Sequence, residues 1–62
     1  MPVVVVEMWQ GRNEEQKETL IKEITKAFEV IGVKKESLTI ILHETPKSNW
    51  GIHGEQASKT NP

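Results

Sequence analysis

Cysteine is missing from this chain of 62 residues. That absence excludes disulfides and thiolate metal sites, two common ways of holding a small fold together. Histidine is scarce as well: only His43 and His53 occur, and neither stands in a tight sequence pairing with carboxylates. An excess of one charge is also lacking. Eight Lys and Arg face nine Asp and Glu, for a net charge of −1. With no basic stripe and no interleaved aromatics, nucleic-acid binding finds no support. Long hydrophobic runs are absent too. The longest is Val3 to Val6, too short for a membrane span or for the apolar region of a secretory signal. A cytoplasmic protein is the expectation, with no membrane partner. A chain of this size buries only about 60% of its unfolded surface, so its core is marginal. With disulfides and metals set aside, oligomerisation is the remaining remedy. We therefore expect one domain, residues 1–62, living as an obligate homo-oligomer.

What is present reads as strand, helix, strand. Val3 to Trp9 is rich in β-branched residues and suits a pleated sheet. Four valines in succession, rather than strict alternation, suggest a strand covered on both faces. Gln10-Gly11-Arg12 breaks it. Asn13 is an N-cap with Gln16 three residues later, and Glu14 and Glu15 favour the positive end of a helix dipole. Leu20, Ile21, Ile24, Phe28 and Ile31 then recur at helical spacing over about eighteen residues. Gly32 is suited to end the helix. After the polar link Lys34–Ser37, Leu38 to Leu42 reads as a second strand. Thr45–Asn49 turns the chain, and Trp50–Gly54 has the glycines of a short hairpin or bulge. The polar tail Glu55–Pro62 is expected to wrap a neighbour or fray. A helix between two apolar strands in so short a chain implies a right-handed βαβ unit with parallel strands. One helix cannot cover both faces of such a sheet, which again calls for further copies. No internal repeat or low-complexity segment is visible.

Pro2 stands between Met1 and the valine strand. Methionine aminopeptidases remove Met1 ahead of a small side chain such as proline, and the mature chain would then begin with a secondary amine. An α-amino group has a reference pKa of about 7.7–8.0, and burial without a counter-charge lowers it. A neutral amine at neutral pH can take a proton from carbon, so Pro2 is a candidate general base. Otherwise Pro2 is a first-strand residue whose missing N–H costs nothing there.

Pro2, Gly11-Arg12, the run Glu15–Ile21 and the ending Trp50-Gly51-Ile52-His53-Gly54-Glu55 occur in this order. Together they make the chain resemble the 4-oxalocrotonate tautomerases, over essentially its whole length. The resemblance implies an α+β fold: a βαβ subunit with parallel strands and a short C-terminal hairpin. It also implies dimers with a four-stranded sheet, usually gathered into a hexamer as a trimer of dimers. The chemistry implied is cofactor-free and acts on small enol or 2-oxo acids, with an amino-terminal proline as base. Pro2 matches that proline. Arg12 matches an arginine that engages a substrate carboxylate, a task suited to a permanently charged bidentate fork. Trp50 falls where the family carries an aromatic on the apolar pocket wall, and its indole N–H is an added donor.

One position departs from the pattern. Counting back from Trp50-Gly51, the family's second catalytic arginine falls on Thr39. Threonine carries no charge, and the loss of a charge-assisted contact costs about 1.5–3 kcal/mol. Substrates with one carboxylate are therefore expected to rival the dicarboxylate 2-hydroxymuconate. His43, Lys34, Lys35 and Lys47 are the candidates for compensating polarity. His43 shares a strand face with Thr39 and Ile41 by period-two counting, and is expected to be an ordinary partly exposed histidine. His53 is expected in a loop, Glu7 in an inter-subunit ion pair, Glu44 in solvent, and Trp9 at an interface or pocket rim. The leading expectation is a tautomerase of 2-hydroxydienoates or enolised 2-oxo acids. The alternatives are hydration or dehalogenation by the same proline, or a non-catalytic oligomeric binding protein.

Overall fold

The structure, a computed structural model, describes residues 1–59; Thr60, Asn61 and Pro62 of the expected tail lie outside the described residues. Strand β1, Val3–Trp9, leads into helix α1, Glu14–Val30. A short 3₁₀ turn, Lys35–Ser37, returns the chain to β2, Thr39–Thr45. A second 3₁₀ turn, Lys47–Asn49, precedes a small antiparallel hairpin of β3, Gly51–Ile52, and β4, Glu55–Gln56. Strands β1 and β2 pair in parallel, with Val3 opposite Thr39 and Trp9 opposite Thr45. The expected α+β architecture, a parallel βαβ unit with a C-terminal hairpin, is thus present.

Local chemistry explains where each element begins and ends. The Asn13 side chain accepts from the Gln16 N–H at 2.8 Å, and the Gln16 side chain accepts from the Asn13 N–H at 3.0 Å. This reciprocal capping box satisfies two of the helix's orphan donors. At the other end, Gly32 adopts φ 94°, and the N–H of Val33 reaches back to the Phe28 carbonyl at 3.0 Å. A side chain would be strained at that φ, so glycine fits there. The hairpin turns on His53 and Gly54, with φ of 53° and 79°. Two successive positive φ values are what the tight two-residue hairpin turn requires.

Burial alternates along both strands. Pro2, Val4, Val6 and Met8 are half-buried, as are Ile40, Leu42 and Glu44, while Val3, Val5, Thr39, Ile41 and His43 face outward. The helix lies over the first set, and Leu20, Ile24 and Phe28 are its half-buried contributors. Ile21 and Ile31 belong to the sequence stripe but stay exposed: Ile21 lies at the stripe's edge, and Ile31 is the C-cap beyond the last turn. The valine run is therefore covered on one face only within a single chain, with Val3 58% and Val5 52% exposed. Among the described residues, Ala57 alone is fully buried. The molecule is a slab of 42 × 23 × 14 Å with a radius of gyration of 14.6 Å. A compact chain of this length would have a radius of about 11 Å. One helix on one two-stranded sheet makes two layers and leaves the other sheet face bare.

Candidate active site

The parallel register sorts the candidate residues to two ends of the sheet. Pro2 lies at the amino end, half-buried, with its carbonyl accepting from the Thr39 N–H at 3.1 Å. That bond holds the Pro2 backbone without using its nitrogen. In this structure Met1 is joined to Pro2 and is 98% exposed, so the fold does not shield the Met1–Pro2 bond. While Met1 remains, the Pro2 nitrogen is an amide without a basic lone pair. Thr39 thus neighbours Pro2 within the same chain, and it brings no charge.

Arg12 and Trp50 lie at the opposite end. The seven residues of β1 span about 23 Å at about 3.3 Å per residue, so Pro2 and Arg12 cannot meet within one chain. Arg12 is exposed, follows the end of β1 and forms no ion pair among the described residues. It borders an open groove of approximately 430 Å³, with Met8, Gln16, Lys17, Leu20 and Glu23. The groove is roomy enough for a small acid. Lys17 is committed elsewhere: its ammonium bridges Glu44 at 3.0 Å, which ties α1 to β2.

Trp50 meets Trp9 edge to face, with ring centroids 5.7 Å apart at 74°. Lys47 lies over the Trp9 ring, its Nζ 4.7 Å from the centroid. Pro46 and Lys47 build this corner, because the Asn49 N–H donates to the Pro46 carbonyl and the Trp50 N–H to that of Lys47. The Trp50 carbonyl in turn accepts from the Ala57 N–H at 2.7 Å, which closes the hairpin onto the aromatic pair. Trp9 Nε1 is buried and finds no hydrogen-bond partner among the described residues.

Two expectations are corrected. Glu7 does not await a neighbouring subunit for its partner. Its carboxylate lies 2.7 Å from His43 Nδ1 across the strands, because the register places residue 7 opposite residue 43. Glu44 is not simply solvated but holds Lys17 on the helix-covered face. His53 is the loop residue expected, and Trp9 gains a defined setting beside Trp50 and Lys47. The Trp9–Lys47 contact and the Arg12 groove have no signature in the sequence. A parallel register fixed at Val3 and Thr39 would have revealed Glu7–His43. Among the described residues no cluster of His, Asp or Glu suits a metal ion. Nor is any described helix long and apolar enough to cross a membrane.

Comparison with known proteins places this geometry. The family described as "Tautomerase enzyme" matches residues 2–60. A 2-hydroxymuconate tautomerase of Pseudomonas putida is 42% identical over 62 residues, 98% of each chain. A 4-oxalocrotonate tautomerase isozyme from Methylibium petroleiphilum, known by structure, is 40% identical with a TM-score of 0.83; the match covers 92% of this chain and 94% of that one. Another solved homologue of 4-oxalocrotonate tautomerase, YwhB, is 31% identical with a TM-score of 0.88, covering 97% of this chain and 100% of its own.

Proposed function

The chain belongs to the tautomerase family and is an isomerase of the 4-oxalocrotonate tautomerase type; from that premise we propose that it moves a proton within 2-hydroxydienoates or enolised 2-oxo acids, with Pro2 as base once Met1 is removed. The observation that carries the proposal is the setting of Pro2: it opens β1, its carbonyl is fixed by Thr39, and the bond to Met1 is exposed. The freed secondary amine accepts the enol proton and becomes an ammonium. It then returns a proton to a carbon conjugated with the new carbonyl, so electrons and protons balance without a cofactor. Arg12 supplies a guanidinium for the substrate carboxylate, and Trp50 an apolar wall.

The site is shared between copies. Pro2 and Arg12 are a strand length apart, while the outer edge of β1 carries no partner strand among the described residues. Pairing two β1 strands about a two-fold axis perpendicular to them inverts the second copy. One copy's Trp9, Arg12 and Trp50 then approach the other's Pro2, and the sheet becomes four-stranded. Val3, Val5 and Ile41 still lie bare on the open face, and burying them takes further dimers, which favours a homohexamer. Neither nucleic acid nor membrane enters this reading.

The experiment is alkylation. A halopyruvate given to protein whose intact mass verifies the loss of Met1 should modify Pro2 and abolish turnover, with peptide mass spectrometry locating the adduct. Loss of activity with the label on a lysine or histidine would refute Pro2 as the reactive group.

A further inference from the structure

Resting on the shared site proposed above, we infer that Lys47, seated on the indole of Trp9, is a second anion anchor and selects substrates carrying two carboxylates. The amino end of the sheet brings the base but no charge at Thr39, so Arg12 alone would anchor only one carboxylate. A neutral Thr39 by itself would favour monocarboxylates. Several cations of this chain are already engaged: Lys17 by Glu44, Lys22 by Glu18 and Lys26 by Glu23. Lys34 and Lys35 lie at the polar link, and among the described residues no ion pair orients them. Lys47 differs from all of these. Its ammonium lies 4.7 Å from the centre of the Trp9 ring, and among the described residues no carboxylate forms an ion pair with it. Its backbone is fixed in the 3₁₀ turn between Pro46 and Trp50.

A cation held on an aromatic face loses less freedom when it binds an anion than one swinging in solvent. Beside it the two indoles, edge to face at 5.7 Å, offer flat apolar surface for a conjugated carbon chain. Lys47 and Arg12 follow the carboxyl ends of β2 and β1, the side of an open parallel sheet where ligands are generally received. A planar dienoate with a carboxylate at each end matches two cations flanking apolar rings. Trp9 is the positioning residue in this arrangement: it touches Lys47, and it sets where the ammonium stands.

The test compares Lys47→Met, Lys47→Arg and wild type, each with Met1 verified absent. Turnover is measured on 2-hydroxymuconate and on 2-hydroxy-2,4-pentadienoate, the related dienol with one carboxylate. Binding of the unreactive pair trans,trans-muconate and sorbate is followed by tryptophan fluorescence. Lys47→Met should lower kcat/KM for the dicarboxylate at least tenfold and leave the monocarboxylate within about threefold. It should also erase the advantage of muconate over sorbate, and Lys47→Arg should restore most of both. Equal losses on the two substrates, or unchanged discrimination in binding, would overturn the inference. The binding arm needs no proton transfer. Failure of Pro2 as base would therefore appear as absent alkylation while Lys47→Met still erases the preference for muconate, a different pattern from failure of Lys47.

Discussion

The two ends of the sheet differ in kind. The amino end is apolar and bare: Met1 is 98% exposed, Val3 58%, and the nearby helix terminus leaves Val30 86% and Ile31 73% exposed. Its one chemical asset is Pro2. The carboxyl end is aromatic and cationic, with Trp9 against Trp50, Lys47 above them and Arg12 beyond the strand. In the proposed reading, one end thus offers the base in an apolar setting and the other the groups that would bind an acid and exclude water. The lesson is that a strand of seven residues keeps Pro2 apart from Arg12 and Trp50 in one chain, so the proposed site is joined only when a second chain runs the opposite way.

The largest effect comes from silencing the amino end alone. Protein that retains Met1 keeps Pro2 as an amide, and turnover should fall by about 10²–10⁴-fold, the usual worth of a positioned general base. Ultraviolet kinetics on retained and processed forms make the comparison. Silencing the carboxyl end instead, through Arg12→Ala, should lower kcat/KM about 10–100-fold on mono- and dicarboxylates alike, as expected for a charge-assisted contact of about 1.5–3 kcal/mol. The sharper experiment mixes the two. Met1-retaining copies and Arg12→Ala copies, unfolded together and refolded, should recover activity that neither has alone, since some sites then combine a free Pro2 with an intact Arg12. No recovery would mean that each site draws on a single chain.

Smaller effects probe the frame that separates the ends. Val5→Asp puts a carboxylate on the open sheet face and should shift sedimentation toward smaller species, because Val5 is 52% exposed in the chain alone and has no other reason to be apolar. Asn13→Ala removes one arm of the capping box and should cost about 1 kcal/mol, measured by denaturant unfolding at fixed protein concentration.

The frame was largely legible in the sequence. Periodicity, the Asn13–Gln16 box and Gly32 place the helix within a residue of its observed end, and the two β-branched runs become the paired strands. The site was legible only as separate residues. Pro2, Arg12 and Trp50 announce their chemistry by type and order, but their division between two ends depends on strand length and parallel register. Lys47 was one of several possible cations until the turn after Pro46 laid it on Trp9. Glu44 reads as a turn carboxylate in sequence, because the helix that brings Lys17 to it is remote along the chain. The four valines mislead for a related reason: a run without alternation reports on both faces of a strand, and only one is covered by this chain's own helix.

That a single residue, Ala57, is fully buried among those described would, with the proposed oligomer, tie the protein's survival to its abundance. In the homohexamer proposed above, little of the free energy of folding would be gathered by one copy alone; most would be released when copies meet and would scale with the logarithm of their concentration. Dilution would then act as a denaturant. A melting temperature measured at micromolar protein should fall on dilution to nanomolar, and activity should vanish along with the fold. A cell making only a few copies of this chain would hold mostly unfolded polypeptide, open to proteolysis. The number of molecules made would then be as much a determinant of the working enzyme as the sequence they carry.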